Sequence, residues 1–150
     1  MLLLSFNIAD EYYAIQSDII LEVIPLIPID FVPQVDDAVR GIIHYRGQSV
    51  PVVDLSIFFC KKTSKARLSS RIIICRLHIQ KEPFIIGLIA EHVTETLQCN
   101  ESDFQDNGIS NPQKNALGRI CRHQNKSIQV INTEQLLHDS IQQQLISTKS

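Results

Sequence analysis

The sequence predicts a mainly β fold: two small five-stranded antiparallel β-barrel subdomains packed together, with a C-terminal helix. Three observations carry that reading. About ten short apolar runs alternate or are rich in β-branched residues, polar turn signals separate them, and a convincing helical repeat occurs only near the end of the chain. Groups of about five strands are too small for an open sandwich, and curling each into a barrel removes exposed edges. The 150 residues are 44% hydrophobic and 20% charged with a formal charge of −2, as expected of a single globular domain over 1–150. A chain of this size buries about 70% of its unfolded surface, so it folds without metal or disulfide support.

Taken in order, Leu2, Leu4, Phe6 and Ile8 alternate with Leu3, Ser5 and Asn7, the pattern of a strand burying one face. Ala9-Asp10-Glu11 turns the chain into a second strand over Tyr12 to Ile15. Ser17 or Asp18 can cap a single helical turn before the apolar run Ile19 to Ile24, whose one charge is Glu22 and which Pro25 and Pro28 keep from becoming a longer helix. Ile29 to Asp37 reads as a surface loop. Val39 to Tyr45 and Gln48 to Asp54 form a strand pair bent at Arg46-Gly47, and Leu55 to Phe59 a short helical turn. Lys61 to Ser70, polar and basic, is the clearest composition break and marks a midpoint loop between two groups of strands. Arg71 to Ile79 and Phe84 to Ala90 make a second hairpin through Gln80 to Pro83, and Glu91 to Leu97 is a further strand. Cys99 to Asn115 reads as a long loop, and Leu117 to His123 pairs with Lys126 to Ile131 around Gln124-Asn125. Asn132 and Gln135 spell a capping box for a closing helix with Leu137, Ile141 and Leu145 on one stripe.

Composition excludes several functions. With pI near 6.2 and no excess of Lys and Arg, the chain lacks the electrostatic footprint of phosphate-backbone binding, so nucleic acid is not an expected partner. No apolar run approaches the ~20 residues that span a bilayer, and Leu2-Leu3-Leu4 is too short for a secretory signal, which points to the cytoplasm. Cys60, Cys75, Cys99 and Cys121 contain no C-x-x-C pair and read as four separate thiols, with Cys75 and Cys121 as small buried hydrophobes. The five histidines show no spacing that sets two rings on one helical face, so no metal site is expected. There is no G-x-S-x-G, no glycine-rich phosphate loop and no spaced carboxylate pair, so neither catalysis nor a cofactor is expected.

What remains suits a binding module. Glu22 lies between Leu21 and Val23, and a charge in that setting faces solvent or finds a cation. Arg46 is the candidate, if the strand Ile20 to Ile24 lies beside Ile42 to Tyr45. Gly47 supplies the backbone freedom of the bend, Pro51 suits an edge strand or bulge, and Asp54 can cap the turn that follows. A solvated surface bridge is the plainer account of the charge pair.

The run V-R-G-I-I-H-Y-R-G-Q-S-V-P-V-V-D-L from Val39 to Leu55, with E-V-I at Glu22, closely resembles the CheW family of chemotaxis coupling proteins. L-S-F-N-I-A-D-E-Y-Y-A-I, F-I-I-G-L-I-A-E-H-V-T-E-T-L and L-G-R-I-C-R with I-N-T-E-Q-L-L follow in the family's order, from about Leu2 to Leu137. The resemblance implies two β-barrel subdomains and a non-catalytic scaffold joining the cytoplasmic tip of a methyl-accepting chemoreceptor to a CheA-like histidine kinase. Any membrane association is then indirect, through receptors. Carried over by position, Leu4, Ile20 and Val93 line an apolar receptor groove with the pair Glu22 and Arg46 beside it, while Gly41, Gly47, Pro51 and Asp54 belong to the structural motif. His44 and Tyr45 stand where the family usually shows asparagine and leucine, Ala90-Glu91 replaces Val-Asp, Asn132 replaces an aspartate, and Ser17 occupies an apolar groove position. These changes leave room for an alternative array, such as one serving pilus motility. Rival readings from other classes are a nucleic-acid-binding β-barrel using Tyr12, Tyr13 and the Lys61 to Arg67 loop, and a thiol or metal-dependent enzyme using Cys60 or Cys99 with a histidine.

Overall fold

The computed structural model describes residues 1–33, 38–60, 70–79, 81–105 and 117–133. Among the described residues there are ten strands: β1 (Leu2–Ile8), β2 (Glu11–Gln16), β3 (Ile20–Pro25), β4 (Val39–Tyr45), β5 (Gln48–Asp54), β6 (Arg71–Ile79), β7 (Glu82–Gln98), β8 (Phe104–Gln105), β9 (Leu117–His123) and β10 (Lys126–Ile131). A short helix, α1 (Leu55–Cys60), follows β5. The mainly β expectation holds. The midpoint loop 61–69, residue 80 and the closing helix beyond Thr133 lie outside the described residues.

The strands fall into two lobes joined by β7. One lobe runs β4-β5-β7-β6-β3 and the other β7-β1-β2-β10-β9-β8. Strands from both sides of residues 61–69 enter each lobe, so the lobes are not the two halves of the chain. Two contacts are parallel, β5 with β7 and β10 with β2, where an all-antiparallel arrangement is expected from the sequence. Neither lobe is closed by a continuous ladder among the described residues.

The 17 residues of β7 form one strand where the sequence suggests two. Its first part pairs with β6 from Ile79↔Glu82 to Arg71↔Ala90, and its second with β1 from Asn7↔Glu91 to Leu2↔Gln98. The join is a bulge. Between Ser5↔Glu95 and Asn7↔Glu91, three residues of β7 face the single Phe6, and His92 takes a φ of +49°. Extra residues on one strand bend it and re-aim its side chains without ending the pairing.

Strand alternation then distributes the apolar side chains over three cores. Ile72 and Ile74 of β6 pack inside the first lobe with Ile43, Val50, Val52 and Ile89, while Ile73, Cys75 and Leu77 point the other way into a core between the lobes. In β1, Leu4, Phe6 and Ile8 enter that inter-lobe core, whereas Leu3 enters the second lobe with Ala14, Leu97 and Ile128. The one-faced strand expected at Leu2 to Ile8 therefore buries both faces, because a wall shared by two cores has no solvent side.

Other expectations need correction. The turn at Ser17–Ile19 is 3₁₀, its N-cap residue is Gln16, and no side chain caps it, so neither Ser17 nor Asp18 has the capping role. Strand β3 pairs with β6, from Ile20↔Cys75 to Pro25↔Arg71, and not with β4. Within the expected loop after Cys99, Asn100 and Asp103 form a capping box around a 3₁₀ turn, and β8 follows on β9. Cys99 and Cys121 are joined by a disulfide rather than standing as separate thiols. This link ties the residue after β7 to the middle of β9. Cys75 is buried and free, and burial pushes its thiol up to about 12.

Gly41 shows why backbone limits the first lobe. Its φ is +143°, and the Asp30 backbone exchanges hydrogen bonds of 2.8 and 2.9 Å with Ile42, so a Cβ at position 41 would lie 2.0 Å from the Asp30 carbonyl oxygen. Gly41→Ala is expected to lower unfolding stability by roughly 2–4 kcal/mol, read as a fall in the urea midpoint. Breaking the disulfide is expected to cost about 3 kcal/mol through the loop it closes. Cys121→Ser measured against unreduced wild type checks this, and native Cys75 should resist alkylation at pH 8 until denaturant is added.

Candidate functional site

The first lobe ends on two strands that no ladder joins, β3 and β4, and side chains bridge them. The two-residue turn between β4 and β5 sets the geometry: Arg46 and Gly47 both have positive φ, +47° and +81°, the signature of a type I′ hairpin whose twist matches the flanking strands. Glycine meets that conformation at no steric cost, and no atom lies within 4 Å of where its Cβ would be. Tyr45 and Arg46 are thereby presented toward β3.

There, the Tyr45 hydroxyl donates to Glu22 Oε2 at 2.5 Å, and Arg46 Nη2 donates to the same oxygen at 3.2 Å. The guanidinium carbon sits 5.5 Å from the Tyr45 ring centroid. The Tyr45 hydrogen bond, followed by Arg46, holds the Glu22 carboxyl below its ordinary range, while desolvation opposes. Bonding to that carboxylate raises the Tyr45 phenol, and Tyr45, followed by Glu22, raises the Arg46 guanidinium further. The expected pair Glu22 and Arg46 thus forms although its strands are not ladder neighbours: the curl of the lobe brings its two outer strands together.

The apolar residues carried over by position share one large cluster: Leu4 is a buried member of the inter-lobe core, and Ile20 and Val93 pack against it. Leu4 is only 7% exposed and lies beneath the surface, whereas Ile20 and Val93 are half-buried at its rim. Val93 reaches that rim because it follows His92 in the β7 bulge. Glu22 lies two residues beyond Ile20, but a bulge between them shifts the register, so Ile20 pairs with Cys75 on the inter-lobe side and Glu22 with Ile74 on the first-lobe side.

The motif residues have structural tasks. Pro51 is buried opposite Ile42, just before β5 begins its parallel pairing with β7 at Val52. Asp54 is buried; its Oδ1 accepts from the Ser56 N–H at 2.9 Å, which caps α1 as the sequence suggests. His44 faces away from Tyr45 by strand alternation and lies 3.6 Å from the Asp30 carboxylate, with both groups exposed.

Sequence reasoning missed two features. Tyr45 was legible only as a departure from a leucine, and its hydroxyl proves to be the closest partner of Glu22. Leu21 and Val23, 41% and 38% exposed, leave the outer side of β3 apolar; the available signal was an outer strand with apolar residues at both parities. The rival readings fare poorly. Tyr12 is exposed and lies against Lys126, while its neighbour Tyr13 faces the inter-lobe core, so the two rings offer no common stacking platform. The basic loop Lys61 to Arg67 falls outside the described residues. Cys99 is bonded to Cys121 and is not a free nucleophile. No group of three or more His, Cys, Asp or Glu side chains is placed to hold a metal among the described residues, and no helix among them is long and apolar enough to cross a membrane.

A family model described as CheW-like domain matches residues 2–140. The chain is 30% identical over 100 residues to the chemotaxis protein CheW of Helicobacter pylori, an alignment covering 67% of this chain and 58% of that protein. To the chemotaxis protein CheW of Rhizobium meliloti it is 23% identical over 103 residues, covering 69% and 64%. The chain thus spans about three fifths of the length of these curated relatives. Among solved structures, the scaffolding protein TtCheW from Thermoanaerobacter tengcongensis matches with a TM-score of 0.80 at 25% identity, over 93% of this chain and 89% of that one.

Asp54→Ala removes the side-chain acceptor at the start of α1. The expected cost is about 1–2 kcal/mol of stability, read by chemical denaturation, with the β-sheet circular dichroism of the native state retained.

Proposed function

Because this chain belongs to the CheW-like domain family, we propose that it is a non-catalytic scaffold that couples the cytoplasmic tip of a chemoreceptor to a CheA-like histidine kinase. The observations that carry this reading are the charged seam at Glu22, Tyr45 and Arg46 on the first lobe and the half-buried Ile20 and Val93 at the margin of the inter-lobe core. Recognition of a helix in a groove needs apolar anchors for affinity and a nearby charged group for register and encounter; Ile20 and Val93 supply the first, and Glu22, two residues along β3 from Ile20, supplies the second. Leu4 supports the floor of that groove from below. The matches to a scaffolding protein and to two chemotaxis proteins favour the chemotaxis assignment over a pilus-motility array or a nucleic-acid-binding barrel. In this role the protein works in the cytoplasm and meets the membrane only through receptors.

Arg46 is 72% exposed and the Glu22 side chain 39%, so their contribution to folding is screened by solvent. Titrating the full chain with a recombinant chemoreceptor tip fragment tests the proposal. Arg46→Ala or Glu22→Lys is expected to weaken binding about tenfold while leaving the fold intact. Val93→Glu places a charge among apolar side chains and is expected to abolish measurable binding. Wild-type affinity in all three variants would remove the rim from the docking surface.

A further inference from the structure

Tyr45 is the point on which the hold between β3 and β4 converges. Its ring packs against the core of the first lobe, beside the cluster of Ile43, Val50 and Ile74. An aromatic ring anchored in this way has two torsions, both limited by packing, so its hydroxyl is a fixed point. Glu22 is the opposite case: a long, partly exposed side chain on an outer strand, where an isolated ion pair is too weak to select one rotamer. The phenol at 2.5 Å supplies what the ion pair lacks, and Arg46 donates to the oxygen already held.

We propose that Tyr45 is a positioning residue of the docking site: its phenol fixes the Glu22 carboxylate over the seam, and the fixed carboxylate sets the orientation in which Arg46 meets a partner. This deepens the docking function proposed above and rests on it. The contribution depends on a charged Glu22. Tyr45 and Arg46 face the carboxylate from β4 and its turn, and Ile74 is its apolar register partner on β6. Since the Glu22 carboxyl is lowered in the assembled site, its contribution is complete above the ordinary glutamate range and is lost as pH falls through the lowered value. Without the phenol, that loss begins at a higher pH.

The test uses the full chain with Tyr45→Phe, which keeps the ring, and Tyr45→Leu, which keeps apolar bulk. The Glu22 carboxyl carbon is titrated by NMR in the free protein, and affinity is measured for a recombinant chemoreceptor tip fragment. Tyr45→Phe is expected to raise the Glu22 midpoint and weaken binding about fivefold, with the thermal midpoint held within about 2 °C. Tyr45→Leu should reproduce both changes, and Tyr45→Phe added to Glu22→Gln should weaken binding no further. An unmoved Glu22 titration in Tyr45→Phe overturns the proposal, as does an equal loss of affinity in the Glu22→Gln background. Absence of wild-type binding to the fragment would instead sink the docking reading, and the Glu22 titration would then decide the positional claim alone.

Discussion

The structure depends on strand alternation shared between three cores. Successive residues in the middle of β6 and β7 point into different apolar compartments, as Ile72, Ile73 and Ile74 do in turn, so Ile72 to Cys75 and Ile86 to Glu91 carry no solvent face. A period of two is what allows one ribbon of chain to wall off two cores at once. The inter-lobe core is the consequence. It receives side chains from β1, β2, β4, β5, β6, β7 and β10, and it fixes the lobes against one another far more firmly than a surface contact between two finished domains.

From that core the proposed docking rim follows with little further design. Ile20 and Val93 are its half-buried margin, and the β7 bulge that turns the strand from one lobe to the next is the same feature that sets Val93 at the edge. The outer strands of the first lobe are joined through Glu22, Tyr45 and Arg46 where backbone pairing stops. The second lobe carries a covalent link instead, from Cys99 after β7 to Cys121 in β9. Side chains thus tie both lobes beyond their backbone ladders, one electrostatically and one through sulfur.

Much of this was legible in the sequence, and the failures share a cause. The bounds of β4, β5, β6, β9 and β10 follow from short turns with recognisable chemistry, Arg46-Gly47 and Gln124-Asn125 among them. The union of Glu22 with Arg46 followed from the cost of leaving a charge unpaired. The strand neighbours did not, because whether β3 lies beside β6 or β4 is decided by long-range closure and not by local pattern. The bulge at His92 left no glycine or proline to announce it, so one strand read as two. The Cys99–Cys121 link is separated by 22 residues with no motif between them, and a tyrosine beside an arginine does not disclose which carboxylate its hydroxyl will find.

The unbroken course of β7 has one consequence for how this chain tolerates change. Exchanging one aliphatic side chain for another alters only how well a compartment is filled. Deleting a single residue between Phe84 and Ala90 inverts every position on one side of the gap, sending side chains shaped for the first lobe's interior into the space between lobes. Drift in this segment is therefore confined to substitution, and variation in length is diverted to the connections or to the kink at His92, where the residue count is already uneven.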